Sequence, residues 1–352
     1  MSPTKVLLVE DSPIALELIK RLLTDSAQVE IVGTAQNGRE ALELIPQVNP
    51  DVICTDLHMA PIDGLELTKQ VMAKFPRPIL VISNSVGADD TKNIFGLLRA
   101  GAVDIFPKPA SSDYTEYALV QHRLIAKIDM LSQVTVKART QSAELKSDRS
   151  GNLVGVASPL ENRSTALRAI AIGAATGGPQ AIHKIITSLP ANFPVPIICA
   201  QHIGDGFLTG LITWLKEDSQ LQVKIAQMGE TPAPNTVYFA PERAHLEFDA
   251  RGKFIYSNSP TATGTCPSID TLFQAVARTY GSASASILLT GIGNDGVAGT
   301  EVIQAAGGTT IAQDEHSCLV FGMSKLAIAS GRVDHVLGLA EIAPFLIDKS
   351  GY

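Results

Sequence analysis

Three carboxylates, a hydroxyl and a lysine recur at the ends of apolar runs in the first third of the chain. Glu10 and Asp11 follow KVLLV, Asp56 follows DVICT, Ser83 ends PILVIS, and Lys108 stands just after AVDIF. Converging carboxylates need a counter-charge, and a hard divalent ion with oxygen ligands, Mg2+ above all, supplies it. A carboxylate nucleophile beside a metal, a hydroxyl and a fixed cation suits transfer of a phosphoryl group, here onto Asp56. Each residue alone reads as a helix cap or an ordinary loop residue. Their order at successive strand ends is what makes them a site.

A second set lies further along. The stretch IGAATGGPQAI, residues 172–182, combines a short apolar strand, a glycine-rich turn and a helix opening at Pro179. Such a turn is shaped to present a side chain, yet Ala174 and Ala175 present only methyl groups. His202 closes VPIICAQ and Asp295 sits in LLTGIGNDG, again just past a strand. A histidine that takes a proton and an aspartate that orients its ring are two parts of a Ser-His-Asp machine. The glycine-rich backbone and the helix opening at Pro179 offer N–H groups for an oxyanion. Taken singly, His202 is more often a rim histidine and Asp295 a cap. His183, His245, His316 and His335 show no metal-ligand spacing and read as structural. Gly291-Ile-Gly293-Asn-Asp-Gly296 also matches the dinucleotide pattern, with Asp314 near the distance of a ribose-binding acid. Against that reading, Asp295 would put a carboxylate inside the phosphate-binding turn, and the pattern falls late in its domain.

The elements that must position these residues follow from periodicity. The chain of 352 residues, 45% hydrophobic and 18% charged, suits two well-packed α/β domains. In the first, strands fall near 29–34, 51–55, 78–83 and 102–106 after the initial KVLLV, with helical patterns from Pro13 and near 38–46, 64–74, 90–100 and 113–131. That alternation predicts a doubly wound, five-stranded parallel sheet. Residues 131–166 are rich in Ser, Thr, Lys, Arg, Asn and Gly and read as a linker between domains at 1–130 and 167–350. In the second domain, strands are expected at 168–172, 195–200, 223–227, 236–240, 245–248, 286–290 and 309–312. Helices follow Pro179, Gly206, Ser268 and Gly296. This predicts another mostly parallel, Rossmann-like sheet with an antiparallel excursion around 236–256. The net charge of −7 gives no footprint for nucleic acid or an anionic membrane. Cys54, Cys199, Cys266 and Cys318 lack paired spacing, which disfavours a zinc site or a disulfide framework. Acids arrive too early for a signal peptide and no apolar run is long enough to span a bilayer, so a cytoplasmic protein is expected.

Two resemblances follow from the motifs. VLLVEDSP, DLHMAPIDG, VISNS and DIFPKP, over residues 4 to about 125, resemble the receiver domain of two-component response regulators. The resemblance implies Asp56 as phospho-acceptor, Mg2+ held by Glu10, Asp11, Asp56 and the backbone carbonyl of His58, Ser83 and Lys108 as sensors, and Phe106 as aromatic switch. It also implies a sensor histidine kinase as phosphoryl donor. Met59 is followed by Ala60 and then Pro61, where the family commonly has Met-Pro. IGAATGGP, Gln201-His202, YFAPERAHL, PSIDTLF, LLTGIGNDG and TIAQDEHSCLVFGMSKLAI resemble the catalytic domain of the chemotaxis protein-glutamate methylesterase, CheB. This implies hydrolysis of glutamate γ-methyl esters on methyl-accepting chemoreceptors, often with glutamine deamidation, gated by the receiver and without a cofactor in the second domain. It implies His202 as base, Asp295 as its partner, and Thr176 and Ile292 in the oxyanion surroundings. Ala175 stands where the family has its nucleophilic serine, which implies an inactive chain. An engineered Ser-to-Ala form and a natural, phosphorylation-gated binding module are both open. Gly264-Thr265-Cys266 also replaces the basic residues and histidine known in that segment.

Overall fold

The computed structural model describes residues 2–24, 26–84, 88–108, 114–134, 136 and 166–352. In the first domain β1 (Thr4–Val9), β2 (Val29–Ala35), β3 (Val52–Thr55), β4 (Ile79–Ser83) and β5 (Asp104–Pro107) alternate with α1 (Pro13–Thr24), α2 (Gly38–Val48), α3 (Gly64–Lys74), α4 (Ala88–Ala100) and α5 (Tyr114–Leu131). The central strands β1, β3 and β4 are short, apolar and almost wholly buried, as a sheet covered on both faces requires, while the edge strands β2 and β5 are partly exposed. They pair in parallel in the order β2-β1-β3-β4-β5. The order reverses between β1 and β3, so the crevice at their carboxyl ends is the place for a ligand. Asn37 and Asp63 cap α2 and α3 through their side chains.

The second domain contains β6 (Ala169–Ala174), α6 (Gly178–Ile186), β7 (Ile197–Gln201), α7 (Leu208–Asp218), β8 (Gln222–Ile225), β9 (Thr236–Phe239), β10 (His245–Phe248), β11 (Phe254–Ser257), α8 (Ile269–Tyr280), β12 (Ser284–Leu288), α9 (Val297–Ala305), β13 (Thr309–Gln313), α10 (Met323–Ala329), β14 (His335–Leu337) and α11 (Leu339–Lys349). Seven strands form a parallel sheet in the order β14-β13-β12-β6-β7-β9-β8. From β6 the chain moves to β7 on one side and later returns to β12 on the other. The switch point therefore lies at the ends of β6 and β12, beside the 173–178 turn and the 289–296 loop.

The expected antiparallel excursion is narrower than 236–256. β9 joins the main sheet in parallel with β7 and β8, and only β10 and β11 form a separate antiparallel hairpin. β9 is buried on both faces, which a parallel sheet accepts, whereas β10 and β11 are half-exposed at their ends. β14, α10 and α11 were not anticipated. β14 is three half-exposed residues, too short to carry a period of two. The stretch read as a linker lies mostly outside the described residues. Among the described residues, no helix is long and apolar enough to cross a membrane.

The two domains touch directly. One apolar cluster runs from Leu67, Phe95 and Leu98 of the first domain into Ala181, Trp214 and Leu215 of the second. The Phe95 ring stacks on Trp214 at 5.5 Å, and Trp214 stacks on His183 at 4.5 Å. Arg99 Nη2 lies 2.5 Å from Asp218 Oδ2, which also accepts from or pairs with His183 Nε2 at 2.8 Å.

Candidate functional site

Two sites emerge, one per domain. In the first, Glu10 and Asp11 leave β1 and Asp56 leaves β3, and their carboxylate oxygens lie within 4.8 Å of one another. Asp56 is fixed from several sides. Its N–H donates to Val9 O at 2.9 Å, its Oδ1 accepts from Leu57 N at 2.7 Å, and Thr55 Oγ1 donates to its carbonyl at 2.9 Å. Gly64 opens α3 directly against this loop: a Cβ there would lie 2.2 Å from Asp56 O, so only glycine allows the approach.

Lys108 Nζ donates to Asp56 Oδ2 at 2.8 Å and to Glu10 Oε1 at 3.1 Å. It also lies 2.8 Å from Glu10 Oε2, but at an angle that makes no hydrogen bond, so that buried oxygen keeps an unmatched lone pair. Burial pushes the Glu10 carboxyl up and the Asp56 charge adds to it, against the pull of Lys108. Lys108 itself is raised: burial works against its charge, but the hydrogen bonds it donates to Asp56 and Glu10 prevail. Three hard oxygen donors gathered at one strand-end crevice fit a divalent ion such as Mg2+, held by Glu10, Asp11 and Asp56. His58 is exposed in the loop after Asp56, while Ser83 and Phe106 are buried at the ends of β4 and β5. Lys108 N donates to Ser83 O at 3.0 Å, which ties these two strand ends together. Asp11→Asn should weaken Mg2+ binding by about tenfold or more, since a charged ligand is lost from an oxygen-only set. Titration followed by calorimetry reads this directly.

In the second domain, the turn after β6 is stapled in place. Ala175 N donates to Thr290 O at 3.1 Å, and Thr290 Oγ1 donates to Thr176 O at 2.9 Å. Gln201 Nε2 donates to Ala175 O and to His202 O, both at 2.8 Å, while His202 N donates to Ala174 O at 2.9 Å. Gly177 sits at φ +78°, and a Cβ there would lie 2.8 Å from Leu319 Cβ. The chain thus turns sharply into α6 and leaves the Ala175 methyl at the switch point, 7% exposed.

His202 Nε2 lies 2.9 Å from Asp295 Oδ2. A carboxylate only accepts, so Nε2 carries the proton and Nδ1 keeps the lone pair. Asp295 is buried and receives four further hydrogen bonds. Ile269 N (2.8 Å) and Thr265 Oγ1 (2.8 Å) donate to Oδ2; Ser268 Oγ (3.0 Å) and Asp270 N (3.0 Å) donate to Oδ1. Ser268 is the N-cap of α8, so Asp295 sits at the positive end of that helix. Burial alone would raise its carboxyl; the His202 contact and the α8 N–H groups outweigh it and hold Asp295 well below the usual carboxylate range. Ile292, 42% exposed, lies on the rim of the same loop. Thr176 is turned elsewhere: its Oγ1 donates to Asp104 Oδ2 of the first domain at 2.7 Å.

The dinucleotide reading loses its donors. Gly296 N and Gly299 N, at the head of α9, both donate to Asp270 Oδ1, at 2.9 and 2.6 Å. Asp314 spends its carboxylate on Ser317 N and Oγ.

Residues 170–346 match the CheB methylesterase family, and residues 6–118 match the response regulator receiver domain. A protein-glutamate methylesterase/protein-glutamine glutaminase of Nitrosospira multiformis is 37% identical over 341 residues, covering 97% of this chain and 95% of that protein. The chain belongs to the CheB family. A second CheB relative, from Syntrophus aciditrophicus, carries the same description and is 33% identical over 350 residues, covering 99% of this chain and 98% of its own. The crystal structure of the Thermotoga maritima CheB methylesterase catalytic domain superposes with a TM-score of 0.51 at 37% identity, over 52% of this chain and 99% of that one. This CheB chain thus joins a receiver domain to a methylesterase-type domain.

The contacts of four residues of the CheB-type domain are not legible in the sequence: Thr265, Ser268 and Asp270 around Asp295, and Leu319 against Gly177, although Thr265 stands out as a departure and Ser268 as a helix start. Ser268 carries a local signal, since a serine before IDTLF is a recognisable N-cap. Nothing in the sequence says that the capped helix end would hold residue 295.

Proposed function

We propose that this chain is a phosphorylation-gated member of the protein-glutamate methylesterase/glutamine deamidase family that, with Ala175 at the nucleophile position, binds chemoreceptor substrate without turning it over. The supporting observation is the His202–Asp295 pair, fully hydrogen-bonded beside a turn whose outward residue ends at Cβ. In a working version, a serine hydroxyl at 175 attacks the ester carbonyl. Its proton passes to His202 Nδ1 and leaves with methanol, and water then releases glutamate from the acyl-enzyme. Here the base and its orienting acid remain, and the attacking oxygen does not. The test is methanol release from methylated receptor by this chain and by Ala175→Ser, each with a phosphoryl donor.

Gating is supported by where the receiver lies. Asp104 accepts from Thr176, Gln180 Nε2 donates to Ala102 O at 3.1 Å, and a Cβ on Gly204 would lie 3.0 Å from Pro107 Cδ. Leu319, which backs Gly177, packs into the receiver cluster that contains Phe106. β5 and its neighbours therefore cover the turn that holds Ala175 and the loop after His202. Glu10, Asp11 and Asp56 would hold Mg2+, which when bound would supply charge neutralisation for phosphoryl transfer from a sensor kinase. A phosphoryl group on Asp56 draws on Lys108, next to Pro107, and so biases this contact. In the Ala175→Ser chain, a small-molecule phosphoryl donor should raise turnover by between about 5- and 150-fold, the usual span of a coupling energy. Asp56→Asn should remove that stimulation and leave basal turnover in place. Stimulation that survives Asp56→Asn would place the phospho-acceptor elsewhere.

A further inference from the structure

The segment 263–266 makes a contact at Asp295 that the catalytic reading does not use. Thr265 Oγ1 donates to Asp295 Oδ2 at 2.8 Å, the same oxygen that meets His202 Nε2. Thr263 Oγ1 lies 2.7 Å from Thr265 Oγ1. Thr265 has one hydroxyl proton, and a carboxylate cannot donate one back. That proton therefore goes to Asp295, and Thr263 must be the donor to Thr265. The polarity of the whole row is set: Thr263 to Thr265 to Asp295, with His202 donating from the other side.

We infer that Thr265 is a positioning residue for the His202–Asp295 pair, with Thr263 supporting it from behind. This rests on the reading of His202 as base and Asp295 as its orienting acid. Oδ2 shares its charge among the imidazole, the Ile269 N–H and the Thr265 hydroxyl, so each donor limits how strongly the others are held. The Thr265 hydroxyl draws charge from the oxygen that would stabilise a protonated His202, and it pins that oxygen against rotation. The ring is thereby aimed.

Asp295 meets His202 directly, and Asp270 stands beside Asp295 at the head of α8. On the elements around the pair, Asp205 on the loop after His202 pairs with Arg243, Glu242 accepts from Gly206 N and Leu208 N, Cys266 lies near Asp205, and Asp104 of the receiver accepts from Thr176. Of these groups only Asp295 makes the Thr265 contact, so removing one hydroxyl isolates it.

The test is an NMR titration of His202 in the full chain. Thr265→Val should move the His202 midpoint upward by about half a pH unit or more, because the carboxylate then favours the imidazolium more. Thr265→Ser should restore the parent value. Thr263→Val should give a smaller shift in the same direction, since it only weakens Thr265 as a donor. In the Ala175→Ser background, Thr265→Val should lower kcat by about ten- to a hundredfold with KM little changed. A His202 titration identical in the parent, Thr265→Val and Thr263→Val chains would overturn the inference, even if thermal stability falls. Should Ala175→Ser prove inactive, the catalytic reading fails on that arm, and the titration still decides the role of Thr265.

Discussion

Ala175→Ser should raise methanol release by roughly 10⁴- to 10⁶-fold in the presence of a phosphoryl donor. The upper figure is what removal of a triad nucleophile costs, about 8 kcal/mol of barrier. What survives without it comes from substrate binding and the oxyanion donors. The geometry favours restoration. The turn is held through Gln201, Thr290 and the Ala174 carbonyl, none of which involves the side chain at 175. Gly291 lets its backbone come close to the Ala175 methyl, since a Cβ there would lie 2.6 Å from it. Ala175 is 7% exposed with the receiver over its turn, so the added hydroxyl should meet substrate once that cover loosens. Restored turnover would mean that one missing oxygen explains the silence. A serine chain that binds methylated receptor but releases no methanol would mean that the domain is a binding module, with the Gly264–Cys266 segment the first place to look.

Asp295→Asn in the Ala175→Ser background should then lower kcat on the order of 10⁴-fold, as loss of the orienting carboxylate does in such triads. The environment here is unusually one-sided. Five donors face Asp295: His202 Nε2, Thr265 Oγ1, Ser268 Oγ, Ile269 N and Asp270 N. An asparagine offers one accepting oxygen and turns its NH2 toward Ile269 N or Asp270 N, neither of which can accept. Either the His202 ring loses its partner or the head of α8 loses its own. The same substitution changes stability with pH. The carboxyl of Asp295 lies lower in the folded chain than in the unfolded one. Its contribution is therefore complete above the unfolded value near 3.9 and is lost as pH falls through the folded value. Acid unfolding followed by circular dichroism should lose that component in the asparagine chain. Retention of full turnover by Asp295→Asn would remove Asp295 from the mechanism.

Much of this was legible beforehand because it is local. Short apolar runs closed by Glu10, Asp11, Asp56 and Ser83 dictate buried parallel strands, and a parallel sheet brings such ends to one edge without further instruction. The glycine turn before Pro179 sets a strand-to-helix corner, and the alanine at its tip is plain from composition. The short strand β14 and the helices α10 and α11 were not legible, because three half-exposed residues and amphipathic ends carry little period. The excursion around 236–256 was drawn too wide for a related reason: TVYF and HLEF look alike as strings, and only burial on both faces separates β9 from the hairpin.

What the sequence by itself determined is the pair of α/β sheets and the residue types waiting at their edges. Those depend on periods of two and 3.6 and on turn chemistry within a few residues. The tertiary structure alone decided which partners those residues meet: Thr265 and the head of α8 on Asp295, Asp104 on Thr176, Leu319 between Gly177 and the Phe106 cluster. Each of those contacts joins positions tens of residues apart, through hydrogen bonds and packing that no local pattern encodes.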